Sequence, residues 1–250
     1  ASNIEKDFNN LIRHKLIGAA LIDASNAMSQ LAVQGPLALK AMQKLTNESV
    51  EDMEYYTFKV IEFAGVKDVI FSTTGYTGSG GCEIYMENAD AEKIYKAVLE
   101  AGEEYGIKPI GLGARDTLRL ESGFCLYGND INDSTSPIAA GLGWITKFTD
   151  GNDFIDRELF EDQKANGVPR RLKGFIMQER AIPRQHYEVV DANGNVIGEV
   201  TSGTMSPMLK QGIGMAYLDK PYWKDGSEIF IKIRNKTARA LVQRPPFYKA

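Results

Sequence analysis

The order of secondary structure in the first half of the chain follows from one glycine-rich stretch, Ser72-Thr73-Thr74-Gly75-Tyr76-Thr77-Gly78-Ser79-Gly80-Gly81-Cys82-Glu83-Ile84. Four of its residues are glycine, which adopts backbone conformations that other residues avoid and therefore favours a loop. Apolar residues alternate on either side of this loop, in residues 68–71 and 82–86, and that period is typical of strands. The stretch predicts two strands joined by a glycine-rich turn.

Further strands and two helical patterns flank this stretch. Residues 29–34 and 58–63 alternate as strands, and 58–63 forms a hairpin with the strand that follows it. One helix is predicted to begin after Pro36, and another to be capped by Asn88 and to end at Gly106. The resulting order predicts an α+β domain with a ferredoxin-like split βαβ layer, whose helices cover one face of a sheet.

The second half of the chain has a different pattern. Residues 131–151 are rich in Ser, Thr, Pro, Gly and Asp, and residues 166–169 form a turn-rich stretch, so we expect a domain boundary near 166. Beyond it, short apolar runs separated by turn signals predict a small β-barrel or sandwich with no helix of normal length. These runs are 172–177, 186–190, 196–201, 213–218, 228–233 and 238–242.

Composition excludes several classes of protein. The 250 residues are 43% hydrophobic and 25% charged, which is typical of a folded chain and not of a disordered one. Lys plus Arg is 29 and Asp plus Glu is 33, a net charge of −4 that argues against nucleic-acid binding. The mean hydropathy is −0.27 and no apolar run approaches the roughly 20 residues of a membrane span. Two cysteines form no disulfide framework, which favours a reducing, cytoplasmic setting.

Common catalytic and metal-binding motifs are absent from the sequence. His14 and His186 lie far apart in the sequence and match no zinc spacing, so no metal site is expected. No nucleophile elbow, phosphate-binding loop or dinucleotide fingerprint occurs. We interpret both histidines as structural or solvated, and Cys82 and Cys125 as small buried apolar residues.

Two stretches favour a binding function. Glu83 follows the glycine-rich turn, where a carboxylate beside open backbone can accept two parallel N–H bonds, as the edge of a pterin or a guanine offers. The alternative is a loose hairpin with Glu83 in solvent. In residues 111–123, Arg115 and Arg119 share a helix face, so one guanidinium can point into a cleft. Arg119 then pairs with Glu121 or Asp116 or meets solvent, and the alternative for both arginines is surface ion pairs.

Four separate motifs resemble those of the glycine cleavage system T-protein, a family of aminomethyltransferases. Their order and spacing match that family along essentially the whole chain. They are Gly75-Tyr76-Thr77-Gly78 with Glu83, residues 113–121, Leu126-Tyr127-Gly128-Asn129-Asp130, and Val200-Thr201-Ser202-Gly203 with Ser206-Pro207.

The resemblance implies a folate-binding, T-protein-like cloverleaf of three domains around a tetrahydrofolate cavity. It assigns 1–27 to a remnant of the N-terminal domain, 28–130 to the ferredoxin-like α+β domain, 131–165 to a return segment and linker, and 166–250 to the C-terminal β-barrel. Residues 1–7 resemble an internal stretch of the family, so the family's catalytic Asp is expected upstream of Ala1. No catalytic residue is therefore assigned, and this chain alone is expected to be inactive.

The implied activity is transfer of a methylene group from the aminomethyl-lipoyl arm of H-protein to tetrahydrofolate, with release of ammonia. The implied partners are lipoylated H-protein and tetrahydrofolate as co-substrate, without nucleic acid or membrane, in the cytoplasm or, in a eukaryote, the mitochondrion. Two alternatives remain, a folate-binding member or fragment without transferase activity and a plain interaction module. Folate binding is implied for Glu83, Arg115, Tyr127, Tyr76 and Tyr248.

Overall fold

The computed structural model describes residues 3–248 and contains two compact units. The first comprises the chain up to Gly75 together with Gly80–Pro109. The second comprises Tyr76–Ser79 and the chain from Ile110 onward. The four-residue segment at the centre of the glycine-rich turn therefore belongs to the second unit, although both strands that it joins belong to the first.

The first unit contains a four-stranded sheet and three helices, which confirms the α+β class. Its strands lie in the order β1-β4-β3-β2, and every neighbouring pair is antiparallel. The elements are α1 (Ile4–His14), β1 (Met28–Gln34), α2 (Ala38–Met42), β2 (Phe58–Phe63), β3 (Val66–Ser72), β4 (Gly81–Glu87) and α3 (Ala91–Gly102).

The prediction of a split βαβ layer is wrong for this sheet. In such a layer, the two strands that flank the helix run parallel, with another strand between them. Here three successive antiparallel pairings separate β1 from β2, so the two strands that flank α2 run in opposite directions. Periodicity identified each strand, but direction depends on pairing partners distant in sequence, which periodicity does not contain.

The core of the first unit lies on one face of the sheet. Successive residues of a strand point to opposite faces, so Cys82, Ile84 and Met86 of β4 are buried while Glu83 and Tyr85 point the other way. Apolar residues of α2 and α3 complete the buried cluster, including Ala41, Met42, Ile94 and Val98. The alternation therefore places Glu83 on the face opposite this core.

Helix α3 ends as predicted but does not begin as predicted. Gly106 has φ 72° after a final 3-10 turn, and this left-handed conformation favours glycine. Asn88 begins a short 3-10 segment, and the residue at the N-cap of α3 is Asp90. The Asn88 side chain instead accepts from Ser29 Oγ at 2.7 Å and donates to the Asn26 carbonyl at 2.8 Å. The capping prediction was wrong because both polar atoms of Asn88 bond to the chain around the start of β1.

The second unit contains two helices and a closed six-stranded barrel. The barrel order is β10-β5-β8-β7-β6-β9, and pairing of β9 with β10 closes it. The six predicted apolar runs all lie in these strands or overlap them, and the barrel alternative is confirmed over the sandwich. The elements are α4 (Leu112–Glu121), α5 (Arg157–Asn166), β5 (Arg170–Met177), β6 (Glu188–Val190), β7 (Val196–Met205), β8 (Gly212–Asp219), β9 (Glu228–Ile233) and β10 (Lys236–Val242).

Helix α5 ends at Asn166, where the sequence shows a boundary signal. The finer division of the chain into four segments stays a prediction. No helix within residues 3–248 has both the length and the apolar character needed to cross a membrane.

Candidate functional site

Glu83 lies near the start of β4, and its carboxylate is held by three donors. Thr74 Oγ1 donates to Oε2 at 2.5 Å, and Gln30 Nε2 donates to Oε1 at 2.9 Å. The Tyr85 hydroxyl donates to Oε2 at 3.4 Å. The side chain is partly buried, and the alternative of a loose hairpin with Glu83 in solvent does not describe it.

Two glycines allow the turn to pack closely against β1 and so determine where β4 begins. A Cβ atom on Gly75 would lie 1.9 Å from Gln34 Oε1, and one on Gly81, at φ 124°, would lie 2.3 Å from the Val33 carbonyl oxygen. Since neither glycine carries a side chain, Gln34 can lie against the turn, and its amide donates to the Thr74 carbonyl at 3.1 Å and to the Cys82 carbonyl at 3.0 Å. These bonds fix the backbone on both sides of the turn.

Aromatic side chains accompany Glu83 on the same unit. Phe58 and Ser72 are paired in register, and Ser72 is paired with Glu83, so Phe58 shares the sheet face and the row of Glu83. Phe58 is 67% exposed. Burial, followed by the hydrogen bond with Tyr56 and the charges of Tyr56 and Glu83, raises the pKa of Tyr55. A carboxylate beside exposed aromatic rings suits a planar heterocycle whose edge carries N–H groups.

Tyr76 and Arg115 are brought together within the second unit. The Arg115 Cζ atom lies 4.6 Å from the centroid of the Tyr76 ring, close enough for a cation–π interaction. The Phe124 ring stacks on the same tyrosine at 5.7 Å, and the Tyr76 hydroxyl donates to the Cys125 carbonyl. Burial raises the pKa of Tyr76, and the nearby positive charges of Arg119 and Arg115 oppose that shift. Arg115 itself is exposed.

The other two tyrosines implied by the resemblance also lie in the second unit. Tyr127 is exposed, and its hydroxyl donates to Asp133 Oδ1 at 2.7 Å. Tyr248 is tied through its backbone N–H to the Glu121 carbonyl at 3.4 Å, beside Phe247, which donates to the same oxygen at 2.7 Å. The structure therefore places Glu83 in one unit and the four other predicted residues in the other.

Arg119 forms a buried ion pair with Asp130, a partner that helix periodicity does not predict. Its Nη1 donates to Asp130 Oδ2 at 2.7 Å, and its Nη2 donates to Asp116 Oδ1 at 2.6 Å. Arg119 is 1% exposed and Asp130 0%, so the expectations of a solvent-facing guanidinium or a surface pair are wrong. Pairing with Asp116 is confirmed, but Glu121 is not the partner, because its Oε1 accepts from Ser206 Oγ and from the Met208 N–H.

Residues from the resemblance motifs meet in these buried bonds. Ser202 Oγ accepts from Arg119 Nη2 and donates to Asp130 Oδ2, both at 2.9 Å. Thr201 Oγ1 also donates to Asp130. These partners are separated by 71 to 83 positions in sequence, so helix periodicity could not connect them. The only sequence signal was that polar residues recur in all of these motifs.

Two family models match the chain. One, described as "GCVT N-terminal domain", matches residues 1–150, and the other, described as "Glycine cleavage T-protein C-terminal barrel domain", matches residues 170–249. The second range contains all six strands of the closed barrel. Together the two models account for most of the sequence.

Two aminomethyltransferases and one solved aminomethyltransferase structure are similar to this chain. An aminomethyltransferase of Bacteroides fragilis is 60% identical over 249 residues, which are 100% of this chain and 69% of that protein. An aminomethyltransferase of Bacillus cereus is 44% identical over 249 residues, covering 68% of its length. A solved structure of the glycine cleavage system aminomethyltransferase T from Bartonella henselae matches with a TM-score of 0.86 and 30% identity, covering 100% of this chain and 67% of that chain.

Proposed function

Because the chain belongs to the glycine cleavage T-protein family of aminomethyltransferases, we propose that it transfers a methylene group from an aminomethyl group to tetrahydrofolate, with release of ammonia. The aminomethyl group would be carried on the lipoyl arm of an H-protein. The folate part of this proposal rests on one observation, the partly buried carboxylate of Glu83 that is held by hydrogen bonds. A cytoplasmic location, or a mitochondrial one in a eukaryote, stays a prediction.

The bonds of Glu83 leave limited room for a ligand, which makes the proposal specific. A carboxylate has about four lone-pair sites, and three donors already use Glu83. The edge of a pterin would present two N–H groups, one to each oxygen. Oε1 has a free site, whereas at Oε2 the Tyr85 hydroxyl, at 3.4 Å, is the weakest donor and the one to be displaced.

Tyr76 and Arg115, which lie together in the second unit, suit the carboxylate-bearing part of a folate. The hydrogen bond to Cys125 and the stacking of Phe124 make the Tyr76 ring a fixed surface. The Arg115 guanidinium lies over that ring and is exposed, so its fork of donors is available to a carboxylate such as a folate carries. Tyr127 and Tyr248 would pack on the ligand. These five residues are proposed to bind folate, and none is proposed as a catalytic group.

Their chemical contribution would be orientation and exclusion of water. The aminomethyl carbon is bonded to sulfur and to an amine, and it becomes electrophilic once the amine or the thiolate leaves. Two folate nitrogens would take up this carbon as a methylene bridge, and their two protons would leave with the amine as ammonia and with the sulfur as a thiol. Holding the two reactants in a fixed geometry can lower the activation barrier by several kcal/mol. These five side chains would then only bind and orient the co-substrate.

Calorimetric titration of the chain with tetrahydrofolate tests this proposal. We expect Glu83→Gln to weaken binding by about 1.5–3 kcal/mol, the range for a hydrogen bond that involves a charged group. Glu87→Gln is the matched control, because Glu87 lies on the same strand and is exposed. An unchanged dissociation constant for Glu83→Gln would reject its assignment.

Ammonia release distinguishes a transferase from a protein that only binds folate. The assay combines the chain with aminomethylated H-protein and tetrahydrofolate. Ammonia release that depends on both supports the proposed reaction. Folate binding without ammonia release would match the expectation that this chain alone is inactive, and it would leave the alternative of a folate-binding member without transferase activity standing.

A further inference from the structure

The Tyr76 ring is held by three contacts within its own unit, and two of them come from adjacent residues. Phe124 stacks on the ring at 5.7 Å, and the Cys125 carbonyl accepts the hydrogen bond of the Tyr76 hydroxyl. Arg115 rests on the ring at 4.6 Å. The place of Tyr76, and of Arg115 above it, therefore depends on the main chain of residues 124–126.

That main-chain segment is tied to the buried ion pair on both sides of the Cys125 carbonyl. Arg119 Nη1 donates to the Phe124 carbonyl at 3.3 Å, and the Leu126 N–H donates to Asp130 Oδ2 at 2.9 Å. The Phe124 N–H also donates to the Arg119 carbonyl at 2.8 Å. The peptide group before Cys125 and the peptide group that contains the Cys125 carbonyl are thus both bonded to residues of the pair.

The ion pair is itself anchored to the barrel. Ser202 of β7 bonds to both partners at 2.9 Å, and Thr201 donates to Asp130. Replacing a buried ion pair by apolar residues of similar volume is often neutral for stability, so net stability alone does not explain such a pair. What apolar residues could not supply is a set of directed bonds to the main chain.

We propose that Arg119 and Asp130 are positioning residues for the folate site. Through the Phe124 carbonyl and the Leu126 N–H, they fix the Cys125 carbonyl and therefore the ring on which Arg115 rests. The identity of the ligand rests on the proposed function. Both side chains are buried, so they act through the main chain.

The test replaces Asp130 and compares it with a matched carboxylate. Asp130→Asn removes the negative charge of the carboxylate that accepts from the Leu126 N–H and from Arg119 Nη1. Asp191→Asn makes the same change at a buried residue in the turn after β6, where Oδ1 accepts from the Asn193 and Asn195 N–H groups instead. We expect faster amide hydrogen exchange at residues 124–126 only in Asp130→Asn, with tetrahydrofolate binding weakened about fivefold.

A double-mutant cycle with Tyr76→Phe shows whether Asp130 acts through the Tyr76 hydroxyl. Tyr76→Phe removes the hydrogen bond to Cys125, so Asp130→Asn should add less than about a twofold further loss in that background. A substitution that only loosens the fold would instead add its full effect. Ser202→Ala is the milder second variant, because it removes one bond from each partner and keeps both charges.

Each result decides the inference. It is overturned if Asp130→Asn and Ser202→Ala match Asp191→Asn in exchange at residues 124–126, or if the losses of Asp130→Asn and Tyr76→Phe are additive. If the wild-type chain does not bind tetrahydrofolate, the proposed function is rejected. The exchange measurement then still decides whether the ion pair holds the segment.

Discussion

Glu83 and Arg119 are two charged side chains that the fold holds in different ways. Three donors bond to Glu83, yet it stays partly exposed and keeps a free acceptor site at Oε1. Arg119 is buried, and its donors bond to Asp116, Asp130, Ser202 and the Phe124 carbonyl. A charge that retains an open site can bind a ligand, whereas one that is buried and saturated serves the structure around it.

Arg119→Met tests the structural part of this difference. The substitution leaves the Asp130 carboxylate buried without its cation, although Thr201, Ser202 and the Leu126 N–H still donate to it. We expect the free energy of unfolding to fall by about 3–5 kcal/mol, as for other broken buried pairs. Urea unfolding followed by circular dichroism measures this change.

The double variant Arg119→Met with Asp130→Leu is the control for that experiment. Removing both charges leaves no uncompensated buried ion, so most of the lost stability should return. A loss below about 1 kcal/mol in the single variant, the level of a surface pair, would contradict a buried pair.

At the scale of helices, two glycines with opposite backbone requirements make a matched pair. Gly106 follows α3 at φ 72°, whereas Gly113 lies inside α4, and a Cβ atom on either would meet nothing within 4 Å. We expect Gly106→Ala to lower the free energy of unfolding by about 1 kcal/mol, because alanine resists that conformation. Gly113→Ala should raise it by a smaller amount, because Gly113 lies in the first turn of α4 and the full propensity difference applies to a helix interior. Thermal unfolding that shifts in the same direction for both would contradict this account.

Strands were predictable because their signal is local. Alternation in 58–63, 82–86 and the six later runs follows from which side chains are buried, and turn residues mark where each run stops. The capping role of Asn88 failed because its partners, Ser29 and the Asn26 carbonyl, lie about 60 positions earlier. The prediction of strand direction failed for the same reason, because direction depends on pairing partners that are distant in sequence.

The candidate site was predictable in its residue types and not in its contacts. Glu83 could be chosen because a carboxylate beside the open backbone of a glycine-rich turn can accept two parallel N–H bonds. Its donors Gln30 and Thr74 could not, since Gln30 is 53 positions away and belongs to a strand whose register the sequence does not state. The buried ion pair of Arg119 with Asp130 was not predicted either, because its partners on β7 are distant in sequence.

At the scale of the whole molecule, one buried and two partly buried acidic groups should make both units sensitive to alkali. Burial raises the pKa of Cys82 to about 12 in the first unit, and those of Cys125 and Tyr217 to about 11 and about 12 in the second. In the unfolded chain, thiols ionise near 9 and tyrosine near 10. The unfolded state therefore loses protons first as the pH rises, which favours unfolding.

The expected result is a melting temperature that falls progressively above pH 9. Stability from these groups is fully present below the unfolded pKa values and is lost as the pH rises through the folded ones. Cys82→Ala and Cys125→Ala should reduce the slope of melting temperature against pH, whatever their effect at pH 7. A slope between pH 8 and 11 equal to that of the wild type in both variants would contradict the assignment.

The sheet of the first unit is open at its edges and the sheet of the second unit is closed, and this difference affects association between copies of the chain. The barrel closes on itself, so its six strands pair on both sides. In the first unit, β1 and β2 are the two terminal strands of the sheet within the described residues, and β2 carries Phe58 and Val60 at 67% and 57% exposure. A register irregularity between Ile61 and Phe63 interrupts only its second half. The regular first half is a template onto which another extended chain can add, so self-association of this protein at high concentration should begin at β2 and be suppressed by a charge or a proline there.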